Sequence, residues 1–318
     1  GKTRAMLSFL SKQRKPGWMA IVSGAEGVTL AHVLRPRGLK PRLSRLETFA
    51  VERDVSDALT RLRASGLAGY ACTTLLSSGD YVVSSLDDPG VPREERREAL
   101  RWALKDAVPF AVDAACIDVL DVPAGSLGPG RSPGVLAVIA DEGAVRRRAA
   151  PFEAAKLDLA AIDIPELAQR NVAALLEDEN RGLVLLRIDA EGVMLTLTWR
   201  GELVAVRRRD DRDIQAVNHG HFPDVETAGE RLSLELQRSL DNFDRQYGQI
   251  AVSRVVLSMP ADSERLLDAL RAGSDLPVEP LDLASVLDLS AVPALRDPRE
   301  QARHLLAIGA ALREEVAV

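Results

Sequence analysis

The chain has 318 residues, 46% hydrophobic and 28% charged, enough material for two lobes with separate cores in an ordinary globular protein. Its net charge of −6 carries no general basic field and only 4% of residues are aromatic, which excludes nucleic acid as an expected partner. No apolar run approaches the ~18 uninterrupted residues of a membrane span, and the start has no apolar core of a secretory signal after its basic residues.

Residues 1–17 set Lys2, Arg4, Lys12, Arg14 and Lys15 around Met6, Leu7, Phe9 and Leu10. They read either as a frayed basic tail or as an amphipathic segment that touches lipid or a partner. Trp18 opens a strand, Ala25-Glu26-Gly27-Val28 reads as a hairpin turn, and Val28 to Leu34 alternates as a half-buried strand does. A third strand-like segment runs from Leu43 to Val51. The helix after it carries apolar Val55, Ala58, Leu59 and Leu62, with Asp54 as N-cap and Gly66 as stop. A strand at Ala71 to Leu76 closes this first pass.

From Glu94 to Val108 the pattern predicts a helix with Leu100, Leu104 and Val108 on one side, Trp102 toward the flank, and Pro109 as terminator. A strand at Ala115 to Val122 follows, then a Pro- and Gly-rich loop over 123–133 and a strand at Val135 to Ala140. The helix at Gly143 to Ala155 carries Arg146, Arg147 and Arg148, expected to be a solvated face. Leu159 to Ile164 reads as a strand, Glu166 to Leu176 as a helix, and Asp178 to Gly182 as a link.

The opening pattern then returns. Leu183 to Leu186 precedes Ala190-Glu191-Gly192-Val193, and Val193 to Trp199 alternates again. A third strand at Leu203 to Val206, a mixed-sign run over 207–213 and a long helix follow, the helix with Ala228, Leu232, Leu236, Leu240, Phe243 and Tyr247 on one face. Val255 to Ser258 reads as a strand, a helix starts near Ser263, Pro277 to Asp282 holds a short strand, and Arg299 to Glu315 forms a last helix behind Pro298. A repeat on this scale means two related lobes rather than a solenoid. The expected class is α/β with mixed sheets. Residues 1–17 form the basic segment, 18–91 with 156–181 a first lobe, 92–155 an inserted α+β subdomain, 182–298 a second lobe and 299–318 the closing helix.

Cys72 and Cys116 sit in strand-like apolar runs without metal spacing. They read as buried thiols in a reducing compartment, with a disulfide as the alternative. His32, His219, His221 and His304 are scattered, so no metal is expected, and Ser23 lacks the context of a nucleophile elbow.

In this order, several stretches resemble the PilM-like actin-fold family, in particular the MshI proteins of MSHA-type IV pilus biogenesis. They are Met6-Leu7-Ser8-Phe9-Leu10, Arg97 to Asp106 running into Pro109-Phe110 and Ile117-Asp118-Val119, Leu236 to Phe243, Leu276 to Asp282 and Leu305 to Arg313. The resemblance implies a duplicated RNase H-like, two-lobed actin fold. It also implies a cytoplasmic protein, peripheral at the inner membrane of a Gram-negative bacterium and gripping the cytoplasmic tail of a PilN-like membrane partner. Trp102, Phe110 and Ile117 are candidates for the partner groove, with packing of the subdomain core as the other reading of Trp102 and Phe110. Homo-oligomerisation is left open.

The same resemblance locates three nucleotide turns, all altered. Where the family has Asp-Ile-Gly-Ser-Ser, this chain has Val22-Ser23-Gly24-Ala25-Glu26; where it has Asp-Ile-Gly-Ala, the chain has Arg187-Ile188-Asp189-Ala190-Glu191 before Gly192. The Gly-rich adenosine turn reads Ser258-Met259-Pro260-Ala261-Asp262, and proline removes a donor N–H there. Glu26, Asp189 and Glu191 would meet a triphosphate with like charge. Loss of hydrolysis, no resident cofactor and a disfavoured ATP–magnesium complex are therefore expected. Two alternatives stand beside the scaffold. One is an ATP-binding switch, with Arg238 and Ser239 near the base and Gly24 and Gly192 near the phosphates. The other is the cytoplasmic part of an L-type component of type II secretion, whose chains run on into a membrane span.

Overall fold

The computed structural model describes residues 14–24, 26–51, 54–132, 134–209, 225–261 and 264–314. Readings that fell on residues 1–13, Ala25, the run beyond Arg209, the His219/His221 pair, Asp262 and Ser263 lie outside the described residues.

Strands β1 (Trp18–Gly24) and β2 (Gly27–Leu34) form the first hairpin, in register from Trp18↔Val33 to Gly24↔Gly27. Gly27 has φ +127°, and a Cβ there would lie 2.0 Å from the Phe49 carbonyl oxygen, so this turn requires glycine. β3 (Arg42–Phe49) continues the meander. In α1 (Val55–Leu62), the Asp54 carboxylate accepts from the Ser56 N–H at 3.0 Å, and Ala58, Leu59 and Leu62 are buried. Gly66, at φ +116°, ends the turn that follows. β4 (Ala71–Leu75) then pairs parallel with β1.

β5 (Tyr81–Asp87) is a strand that the sequence reading missed; its Ser84-Ser85 pair interrupts the apolar signal. Next come α2 (Arg96–Ala103), shorter than the helix expected over 94–108, then β6 (Cys116–Asp121), β7 (Gly134–Ala140) and α3 (Glu142–Ala154). β5, β7 and β6 make a three-stranded antiparallel sheet in that order. The inserted unit therefore includes Tyr81–Asp87 and begins before residue 92. α3 moves the other way: Phe152 packs with Met19, Ile21 and Leu59 in the outer core of the first lobe, so this helix covers the lobe instead of building the insertion.

β8 (Leu159–Asp163) completes a first sheet of order β3-β2-β1-β4-β8, and α4 (Pro165–Leu176) leads out of it. The second lobe repeats the plan. β9 (Gly182–Asp189), β10 (Gly192–Trp199) and β11 (Glu202–Arg209) form the meander, followed by α5 (Val225–Tyr247), β12 (Val252–Ser258), α6 (Glu264–Ala272) and β13 (Val278–Pro280). Its sheet order is β11-β10-β9-β12-β13, the same plan as in the first lobe. The expected last helix breaks at His304 into α7 (Pro298–Arg303) and α8 (Leu305–Ala311).

The two sheets face each other across α4 and α8. Ala20, Ala31 and Val33 of one sheet, Leu183, Leu185 and Val256 of the other, Ala168 and Val172 of α4, and Leu305 and Ile308 of α8 share one core. Helices α5 and α6 cover the outer side of the second sheet, where Val184, Leu186 and Leu257 meet Leu232, Leu236 and Leu270. A strand buried on both faces must be apolar throughout, which is why Leu183 to Leu186 shows no alternation. In the subdomain, Leu100 of α2 and Leu104 at its C-cap lie on Ile117, Val135 and Ile139. Its other face, with Val122 and Leu136, joins the outer core of the second lobe.

Cys72 is buried and burial pushes its thiol up to about 12, whereas Cys116 is exposed, contrary to expectation, and both are free. Their disulfide alternative is thereby excluded in this fold. His32 is a satisfied core residue, with Nε2 3.0 Å from the Pro16 carbonyl and Nδ1 against the Ser44 hydroxyl. Burial lowers the imidazole pKa of both His32 and His304 below the ordinary 6.5. As pH falls, the unfolded chain takes up these protons first, so stability is lost on the acid side of 6.5 and regained above it. Urea unfolding is expected to show a lower midpoint at about pH 5.5 than at about pH 7.5, with a smaller difference in His304→Gln.

Candidate functional site

The two hairpin ends and the end of β12 are the places where the resemblance led us to expect nucleotide turns. At the first, Ser23, Gly24 and Glu26 are exposed, and the Glu26 carboxylate lies within electrostatic reach of His304. At the third, Ser258 and Met259 are buried and Pro260 is half-buried, so the segment offers little surface to a ligand.

The second turn departs furthest from an anion cradle. Arg187 is 4% exposed, and desolvation pushes its guanidinium down to about 10. It pairs with Asp189 and donates from Nε to Gln169 Oε1 at 3.2 Å. Gln169, fully buried on α4, donates in turn to the Leu185 carbonyl and to Thr196 Oγ1, both at 2.9 Å. Asp189 Oδ1 also accepts from the Glu191 N–H at 2.9 Å. The acidic side chain expected to repel phosphate is thus held by a cation of the same chain.

Beside it lies a second buried group. Glu166, in the first turn of α4 and 1% exposed, accepts from the Tyr81 hydroxyl at 2.6 Å and pairs with Arg208 Nε at 2.9 Å. Arg208 also donates to the Tyr81 oxygen at 2.9 Å. Burial first, and then the Glu166 charge, push the Tyr81 phenol up, so it remains a donor. These three residues join the subdomain sheet, the central helix and the second lobe. The sequence reading missed all three. Its only available signal was a glutamate inside the apolar run Ile164-Pro165-Glu166-Leu167-Ala168.

The cavity left at this turn, bordered by Arg187, Gly192, Arg208 and Ser78, is about 150 Å³. Small-molecule sites commonly need roughly 300–1,000 Å³. A cavity of about 230 Å³ at the first hairpin, with Ser23, Asp80 and Arg147 in its wall, is also small. A wider one of about 640 Å³ runs between α5 and α6 past Gly229, Ser233 and Gly273. Neither base-side candidate lines it: Arg238 is exposed and Ser239 is fully buried.

The partner-groove candidates separate. Trp102 is 69% exposed instead of packing toward the flank. Phe110 is half-buried against the subdomain core, and Ile117 is inside that core, where its side chain is closed to a partner. What the structure brings together is α2 with β6, which enclose a groove of about 460 Å³ lined by Arg93, Glu94, Arg96, Arg97, Asp118 and Val119.

Comparison with solved structures decides the architecture. A chain of the PilM-PilN type IV pilus biogenesis complex superposes with a TM-score of 0.70 over 93% of this chain and 98% of that one, at 21% identity. A protein of Bacteroides thetaiotaomicron with an actin-like ATPase fold and unknown function matches with a TM-score of 0.50, over 94% of this chain and 98% of that one, at 10% identity. The fold is that of the actin-like ATPases. The cytoplasmic domain of EpsL, an inner membrane component of the type II secretion system of Vibrio cholerae, is similar to it too. That match has a TM-score of 0.50 and covers 94% of this chain and 96% of that one, at 13% identity. No protein-family description and no curated protein sequence matches the chain. Each of the two lobes carries one of the duplicated hairpins, and the second holds a buried arginine.

Proposed function

We propose that this chain is an actin-fold scaffold of a type IV pilus assembly platform, of the PilM-like and MshI-like kind. In this reading it binds the cytoplasmic tail of a PilN-like inner-membrane protein at the cytoplasmic face of that membrane and has lost nucleotide hydrolysis. The observation that carries the reading is Arg187. A guanidinium buried with Asp189 and Gln169 occupies the turn where a phosphate–metal pair would need space and a free carboxylate. Full-length similarity to a chain of a pilus complex, at 0.70 against 0.50 for the secretion component, supports pilus over type II secretion. No helix among the described residues is long and apolar enough to cross a membrane, which fits attachment through a partner.

Two measurements test this. Calorimetric titration with magnesium-ATP is expected to give no heat of binding, and a micromolar dissociation constant would overturn the loss of nucleotide. Pull-down of the full chain by the immobilised tail of the PilN-like protein is expected to succeed without nucleotide, and no capture would remove the scaffold reading.

A further inference from the structure

The loop between β2 and β3 projects from the end of the first sheet at which the chain enters β1, since Trp18 pairs with Val33 and Leu34 with Arg42. Its tip is a formed turn. Leu39 N–H donates to the Pro36 carbonyl at 3.3 Å, and Gly38 has φ +71°, the geometry of the third residue of a type II turn. Both feet of the loop are tied down: Arg35 donates to the Leu312 carbonyl, and Asp288 N–H donates to the Pro41 carbonyl at 2.9 Å. A Cβ on Gly38 would meet nothing within 4 Å, so the tip stands clear of the other described residues.

Leu39 at this tip is 74% exposed, more than any other large hydrophobic side chain among the described residues. Arg35, Arg37, Lys40 and Arg42 flank it in the chain, and all four are exposed. Two carboxylates face them. Glu314 lies 3.9 Å from Arg35, and Asp288 lies 3.9 Å from Arg42 and within electrostatic reach of Lys40. Both pairs are long and solvated, and Arg37 has no ion pair among the described residues. The loop therefore keeps a local positive charge on a chain whose net charge is −6.

Cations around one projecting leucine match a surface that is negative outside and apolar just beneath, which is the profile of an anionic bilayer. A small metabolite would need a concave site, and this tip is convex. We propose that the β2–β3 loop is a direct contact with anionic lipid. Leu39 enters the acyl boundary, and Arg37 and Lys40 meet the headgroup phosphates. Because the turn is already formed, little backbone freedom is lost on contact. One short loop is a weak anchor by itself, and it becomes effective when a partner holds the protein at the same membrane. The contact goes beyond the partner-held attachment proposed above and does not depend on it.

The test sediments the full chain with vesicles rich in phosphatidylglycerol or made of phosphatidylcholine alone. Binding is expected on the anionic vesicles at low salt, lost at about 0.5 M salt, and absent on the zwitterionic ones. Leu39→Ser and the pair Arg37→Gln/Lys40→Gln are each expected to weaken the partition about tenfold, with the fold retained because these side chains are exposed. Arg146→Gln/Arg147→Gln removes two exposed arginines of α3 and is expected to leave binding unchanged. Hydrogen exchange with vesicles present is expected to slow at the amides of Arg37 to Lys40. No binding of the unmodified chain to anionic vesicles, binding that survives the loop variants, or protection confined to residues before Arg14 would overturn the lipid contact and leave the scaffold reading standing. Binding of polyglutamate but not of vesicles through the same loop would assign it to an acidic polypeptide and overturn it as well.

Discussion

Gly309→Ala is expected to cost about 3 kcal/mol or more, close to the upper end of what overpacking does. Gly309 lies on α8 where this helix crosses α4, and a Cβ added there would sit 2.1 Å from the Ala168 carbonyl oxygen and 2.7 Å from its carbon. Those atoms are backbone of the neighbouring helix, so no side-chain rotation relieves the overlap. The two helices must separate, and they are the layer between the sheets. Ala20 and Val33 on one side and Leu183 and Leu185 on the other would lose contact together. The Gly309 carbonyl also accepts from the buried Asn171 amide at 2.8 Å, a bond the same shift would stretch. Thermal unfolding measures the effect. Gly79→Ala is the control: a Cβ there meets nothing within 4 Å, and its effect is expected to stay within about 0.5 kcal/mol. Equal midpoints for the two variants would contradict the sandwich described here.

Arg208→Met is the second. It leaves the Glu166 carboxylate buried, with the Tyr81 hydroxyl as its remaining donor. Breaking a buried pair from one side costs roughly 3–5 kcal/mol, and the Tyr81 bond together with the partial exposure of Arg208 reduces this to about 2–3 kcal/mol. Glu166→Gln alone keeps the shape and removes the charge, and is expected to cost less. The double variant is expected to be more stable than Arg208→Met by at least about 1 kcal/mol, because no unpaired charge is then buried. A strictly additive cycle in urea unfolding would show that Arg208 and Glu166 do not interact.

The sequence was informative about everything that depends on neighbours in the chain. Both hairpin turns, the Asp54 cap, the Gly66 stop, the apolar face of the long helix of the second lobe and the repeat itself are local patterns, readable from periodicity and turn chemistry. It was silent where meaning comes from across the fold. Ser84-Ser85 hid β5 because serine has no strand signature of its own, and Ile117 looked available to a partner because alternation gives two faces without saying which is covered.

Alone, then, the sequence determined an α/β chain of two related lobes, each opened by the same strand–turn–strand pattern. Tertiary structure decided that α8 returns to the first lobe and wedges against α4, that the insertion begins at Tyr81–Asp87, and that α3 covers the lobe instead. It also decided that Tyr81, Glu166 and Arg208, 85 and 127 residues apart in two of their bonds, converge on one buried charge. The reason is physical. A strand or a cap is selected by energies within a few residues, whereas a buried ion pair exists only once sheet order and helix packing have excluded water from the place where its members meet.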